Sequence, residues 1–175
     1  MKKLILLLFL TTAILPANAA QFGVGVCGGM NIPVIQQDQG SGTIFGLKAK
    51  LNLLPGVSVE PNLNFAKFGD AKKDYGTRKG SKITSYGVDA ILGAGLPGVG
   101  VKMYGLVGGG IYSTKRDNDP DATKMGWAAG LGLEVGFTSK IAVDIRGKLN
   151  VIGSEGGGTK KSAALTGGVN YYFGF

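Results

Sequence analysis

The 175-residue sequence has no histidine and one cysteine, Cys27. Without histidine it lacks the commonest general base and the commonest metal ligand. A single cysteine excludes an internal disulfide framework and any cysteine-cluster zinc site. Charged residues are only 17% of the chain, and there are only six prolines. Beyond the first residues no stretch approaches the roughly 18 uninterrupted apolar residues of a membrane-spanning helix. Glycine is what abounds, at 32 residues. That is far above the average usage of about 7%, and the low proline count excludes a collagen-like origin. The length allows one domain, or two small ones.

The first residues follow the three-part pattern of a secretory signal. Lys2 and Lys3 supply the charged start, Leu4 to Leu15 the apolar run, and Pro16 the break. Ala17-Asn18-Ala19 is an A-x-A site. The expected organisation is a signal peptide at 1–19 and one mature domain at 20–175, exported by a bacterium. Taking Lys2 and Lys3 from the 19 basic residues leaves 17 in the mature chain, against 11 acidic.

The mature chain alternates with a period of two. Phe45, Leu47, Ala49, Leu51 and Leu53 alternate with Gly46, Lys48, Lys50 and Asn52. Val57 to Phe65 and Trp127 to Phe137 repeat the pattern, with Glu60 and Glu134 on their polar faces. Ile141 to Val151 does so with Asp144, Arg146 and Lys148. This is strand periodicity, and a helix would scatter those charges around its surface. Weaker alternation over Phe22 to Ile32, Thr84 to Leu96, Val101 to Ile111 and Ala163 to Phe175 brings the expected number of strands to eight. Which residues of Val101 to Ile111 share a face is left open by its glycines.

The connections alternate between short and long. Leu54-Pro55-Gly56, Leu96-Pro97-Gly98 and Thr138-Ser139-Lys140 read as tight turns. In the first two, proline presets φ and glycine allows the left-handed region. Pro33 to Gly42, Ala66 to Lys82, Ser113 to Lys124 and Gly153 to Lys161 read as long polar loops. Outer-membrane barrels combine short periplasmic turns with longer outer loops.

The faces decide between a soluble and a membrane barrel. A soluble eight-stranded barrel points its apolar face inward. Here one face carries Lys48, Lys50, Glu60, Asp89, Lys102, Glu134, Asp144, Arg146 and Lys148 beside many glycines. The opposite face carries almost no charge. The glycine-rich face suits a narrow interior, and only lipid favours the apolar face outside. The expected fold is all-β: an eight-stranded antiparallel transmembrane up-and-down barrel, closed so that no backbone edge meets hydrocarbon.

The last strand strengthens this. Tyr171, Phe173 and Phe175 alternate up to the final residue. The chain here resembles the small bacterial outer-membrane β-barrels of the OmpA transmembrane-domain and OmpX type. The resemblance implies that these aromatics form the signal read by the barrel-assembly machinery. It also implies outer-membrane lipid and lipopolysaccharide as surroundings and a monomeric barrel. Nothing in the chain resembles the peptidoglycan-binding domain of full-length OmpA.

Two groups of residues are candidate sites. The nine face charges named above are expected to pair as a plug within the lumen, since buried charge must be paired. Lys67, Lys72, Lys73, Arg78, Lys79 and Lys82 outnumber Asp70 and Asp74 in one outer loop, a candidate contact for phosphates or another anionic surface. Asp117, Asp119 and Asp121 lack the glycine and final glutamate of an EF-hand, so no metal is expected. Gly23-x-Gly25-x-x-Gly28 and Gly93-x-Gly95-x-x-Gly98 lie within strand patterns, where a dinucleotide site does not form. No cofactor, nucleic acid or enzymatic activity is expected. The leading role is structural or surface interaction. A narrow channel for solutes or ions, and an adhesin or secretion accessory, stand as alternatives.

Overall fold

A computed structural model describes residues 21–34, 40–73, 76–78, 80–96, 100–116, 119–153 and 158–173. At 71–73, 76–78, 96, 116, 119 and 120 the description is of backbone alone. The expected signal peptide and Phe175 lie outside the described residues.

The strands are β1 (Gln21–Pro33), β2 (Gly40–Leu54), β3 (Val57–Gly69), β4 (Ala71–Lys73), β5 (Gly76–Arg78), β6 (Lys82–Leu96), β7 (Val101–Arg116), β8 (Asp119–Gly136), β9 (Ile141–Gly153) and β10 (Thr159–Phe173). Eight of them close into one barrel in the order β1-β10-β9-β8-β7-β6-β3-β2. Every neighbouring pair is antiparallel, and closure is made by β1 on β10, from Phe22 opposite Phe173 to Pro33 opposite Ser162.

The two-residue alternation becomes an inside and an outside. Val26 (47% exposed), Leu47 (44%) and Leu131 (74%) point outward, while Glu60 (0%), Asp144 (1%) and Lys50 (2%) are buried inside. That inverts a soluble protein, in which charge is rarely buried.

The strands are longer than alternation alone indicates. The expected long loop Ser113 to Lys124 is instead the paired ends of β7 and β8, from Ser113 opposite Thr123 to Arg116 opposite Asp119. Ser113, Thr114 and Thr123 suit strands, and continued pairing satisfies their backbone groups. The loop between β3 and β6 holds β4 and β5, with Ala71 opposite Arg78 and Lys73 opposite Gly76. Three-residue strands are too short to show a period, so this hairpin leaves no signal in the sequence.

Turns form the other end. Gly56 takes φ 83° between β2 and β3, as a Leu-Pro-Gly turn requires. At the second turn residues 97–99 lie outside the description, and Gly100 next to them is left-handed (φ 64°). In the third, Thr138 Oγ1 accepts from the backbone N–H groups of Lys140 (3.2 Å) and Ile141 (3.0 Å). Pro61 interrupts one ladder. β2 and β3 pair at Lys48–Asn62 and next at Leu51–Val59, because proline has no N–H to donate between them.

Candidate functional site

β7 resolves the face left open by its glycines. Tyr104, Leu106 and Tyr112 are buried in the lumen, whereas Met103, Val107 and Ile111 are exposed to the outside. Lys102 shares the lumen side.

The barrel brings eight of the nine face charges into ion pairs. Arg146 forks onto Glu60, with Nη1–Oε1 at 2.5 Å and Nη2–Oε2 at 3.0 Å. It also donates to Asp144 Oδ2 from Nη2 (2.7 Å) and Nε (3.1 Å). Asp144 further accepts from Lys48 Nζ at 2.8 Å and the Tyr104 hydroxyl at 2.9 Å. Glu134 Oε2 accepts from Lys50 Nζ (2.7 Å), Asn170 Nδ2 (2.8 Å) and the Tyr172 hydroxyl (2.8 Å). Lys148 donates to Asp89 at 2.7 Å, and Asn62 reaches the same oxygen at 3.0 Å. Four cations thus meet four anions. Lys102 is the exception. It stands opposite Glu134 in the register but has no ion pair among the described residues. It lines a vestibule of about 590 Å³ at the short-turn end, with Gln21, Asn52 and Tyr172.

Tyrosine rings hold this layer. Lys50 Nζ lies 5.6 Å from the Tyr104 ring centre and 5.9 Å from that of Tyr172, and Arg146 lies 5.6 Å from Tyr104. Lys50 and Arg146 are therefore stabilised by an aromatic face as well as a carboxylate. The glycines make room for the rings. A Cβ on Gly132 would collide with the Tyr104 ring, and one on Gly23 would lie 2.8 Å from that of Tyr172. Both glycines are direct cross-strand partners of those tyrosines. The excess of glycine on the lumen side is the complement of its large residues.

The lumen also holds apolar residues that a polar-face reading misses. Ile91, Tyr104 and Leu106 form a buried cluster. Phe68 and Ile152 are buried near the outer ends of β3 and β9. Their positions keep the inward period of their strands, which is the signal that could have found them.

Lys67 and Lys82 sit at the outer rim, directly opposite each other, and Lys115 is opposite Lys82 on the next strand. Lys115 pairs with Asp121 at 2.8 Å. Lys72, Lys73 and Arg78 belong to the β4–β5 hairpin, described by its backbone, and Lys79 lies outside the described residues. At the opposite rim Phe173 stacks on Phe22, centres 5.6 Å apart, and meets Tyr171 edge-on at 5.1 Å. On the outer side Phe45 faces Phe65 across β2 and β3. Aromatics thus flank both ends of the apolar band, as in membrane barrels.

A closed barrel with charge inside, an apolar band outside and aromatics at both rims is the arrangement of a membrane-spanning barrel. The model of the outer membrane protein beta-barrel domain matches residues 4–173. The chain belongs to that family. Among solved structures this family member is similar to Neisserial surface protein A (TM-score 0.65, 16% identity, 88% of this chain and 97% of that one). It is also similar to the N-terminal barrel of Pseudomonas aeruginosa OprF (0.59, 20% identity, 87% and 97%). A third likeness is to Ail, the attachment invasion locus protein of Yersinia pestis (0.53, 16% identity, 88% and 97%). Ail has also been solved with the heparin analogue sucrose octasulfate. At these identities the likeness establishes the fold. No curated protein matches the chain.

Proposed function

We propose that this protein is a non-enzymatic, monomeric outer-membrane barrel with a structural or surface-interaction role, its lumen plugged by ion pairs and its contacts made by the outer loops. It reaches the membrane through a signal peptide cleaved after Ala19, and the barrel-assembly machinery reads Tyr171, Phe173 and Phe175. The observation that carries the reading is the buried network of Arg146, Glu60, Asp144 and Lys48, continued by Lys50–Glu134 and Lys148–Asp89. An eight-stranded interior is just wide enough for side chains to fill. The test is conductance in a planar bilayer, with heat-modifiable gel migration as the folding control. The folded barrel should stay silent. Discrete, reproducible openings would replace the plug with the narrow-channel reading.

The basic rim supports contact with an anionic surface. Like charges opposite one another on neighbouring strands repel. The row Lys67–Lys82–Lys115 is relieved on one side by Asp121, and a phosphate held between Lys67 and Lys82 would relieve the other. These lysines stand just beyond Phe65, at the level of the outer headgroups. Binding of lipopolysaccharide to the folded barrel should fall at least tenfold in the Lys67→Glu/Lys82→Glu variant and weaken with salt. Sucrose octasulfate is a second probe. Binding unchanged by the double reversal would remove these lysines from the contact.

A further inference from the structure

The outer half of the lumen differs from the ion-pair layer beneath it. A cavity of about 40 Å³ lies between that layer and the outer mouth, lined by Asn31, Asn62, Asn64, Asn150 and Cys27 and, on its inner side, by ion-paired residues such as Glu60, Arg146 and Lys148. Asn31 is 3% exposed, and among the described residues its side-chain oxygen has no hydrogen-bond donor. A buried acceptor without a donor is costly, and native proteins commonly satisfy it with ordered water. The cavity exceeds the roughly 10–15 Å³ that one water needs.

Nearer the cell surface the lining changes character. Phe68, Ile83 and Ile152 narrow a gap of only about 10 Å³, whose lining is completed by Ser81, Thr114, Ser162, Lys160 and Lys161. Ile83, Ile152 and Ser162 line both spaces, so they separate them. Phe68 is 3% exposed and Ile152 4%, although both lie near the outer ends of their strands. Apolar side chains across so small a gap disfavour water and with it dissolved ions.

We propose that Phe68, Ile83 and Ile152 form an apolar lid over a water-filled chamber, in which one water donates to Asn31 Oδ1. The lid governs the entry of small polar solutes from the cell surface. The ion pairs below make the chamber blind, so it is a closed well rather than a pore. This goes beyond the plug: it places control of access at the outer mouth, on the apolar side chains of Phe68, Ile83 and Ile152 beside Lys160 and Lys161.

Cys27 is a native reporter, because it lines the chamber and is the only cysteine. The mature barrel, refolded in lipid vesicles, would be exposed to ethylammonium methanethiosulfonate and modification of Cys27 followed by mass spectrometry. The wild-type protein should react at least tenfold more slowly than the urea-unfolded chain. Phe68→Ala should raise the folded rate at least tenfold. Phe65→Ala, which removes an equal side chain from the lipid side, should not. Neither should Leu106→Ala, which empties buried volume outside the lining of both spaces. Should Phe68→Ala fail to fold, Ile152→Ala opens the same boundary. A folded lid variant reacting at the wild-type rate would overturn the proposal. So would a wild-type barrel reacting as fast as the unfolded chain, or equal acceleration by Leu106→Ala.

Discussion

Arg146→Ala should destabilise the folded barrel by about 3–5 kcal/mol, the usual cost of leaving a buried charge uncompensated. Glu60 is fully buried, and Arg146 supplies both of its charge-assisted hydrogen bonds. Removing the guanidinium leaves a buried carboxylate without its counter-charge and without its two donors. Asp144 suffers less, because Lys48 and Tyr104 still donate to it. The loss should therefore come chiefly through Glu60, and a double-mutant cycle can show this. Replacing both Glu60 and Arg146 by methionine removes the charge together with its counter-charge. Such replacements of a buried pair are often neutral, or stabilising by about 1–4 kcal/mol. The double variant should thus be markedly more stable than Arg146→Ala. Urea titration of the lipid-embedded barrel, read by gel migration, measures each term. A single variant that loses less than about 1 kcal/mol would mean that the pair is solvated, as surface pairs are. The lumen would then be open at that level.

The parts of this fold that could be read from the sequence are those in which one physical rule dominates. Lys48, Lys50, Glu60, Glu134, Asp144 and Arg146 alternate with apolar residues, and only one arrangement keeps such charges out of lipid. Their inward direction, the order of the strands and the short-turn end follow from that rule. Their partners do not follow from it. Lys48 meets Asp144 across 96 positions of sequence, and Arg146 meets Glu60 across 86. Those pairings depend on stagger and closure, which alternation does not encode. Lys102 illustrates the limit: it has the right face, yet Glu134 opposite it is taken by Lys50, Asn170 and Tyr172. Glycine hid information in a different way. In β7 it erased the contrast between faces, although Tyr104 and Lys102 share one parity. Phe68, Ile91 and Ile152 were missed because a small lumen needs apolar filler as well as charge, and filler at an inward position looks like noise in a polar face.

The inside-out arrangement makes an opposite prediction for the outer wall. Leu131→Arg should destabilise the bilayer-embedded barrel by about 2–4 kcal/mol, the cost of a basic residue on the lipid face near the membrane midplane. Leu131 is central among the seven outward residues from Met125 to Phe137 and is 74% exposed in the isolated barrel. In a water-soluble protein so exposed a leucine could become arginine within about 0.5 kcal/mol. The sign and size of the effect therefore report what solvent the wall meets. Depth supplies an internal control, because the penalty falls to roughly 0–1 kcal/mol near the interfaces. Phe137→Arg, at the turn beyond β8, should cost far less than Leu131→Arg although Phe137 is similarly exposed at 70%. The measurement is equilibrium unfolding in urea with the barrel in lipid vesicles. Equal, negligible effects at both positions would mean that the apolar band does not contact hydrocarbon. A gradient from Leu131 to Phe137 would locate the hydrocarbon on this strand, residue by residue.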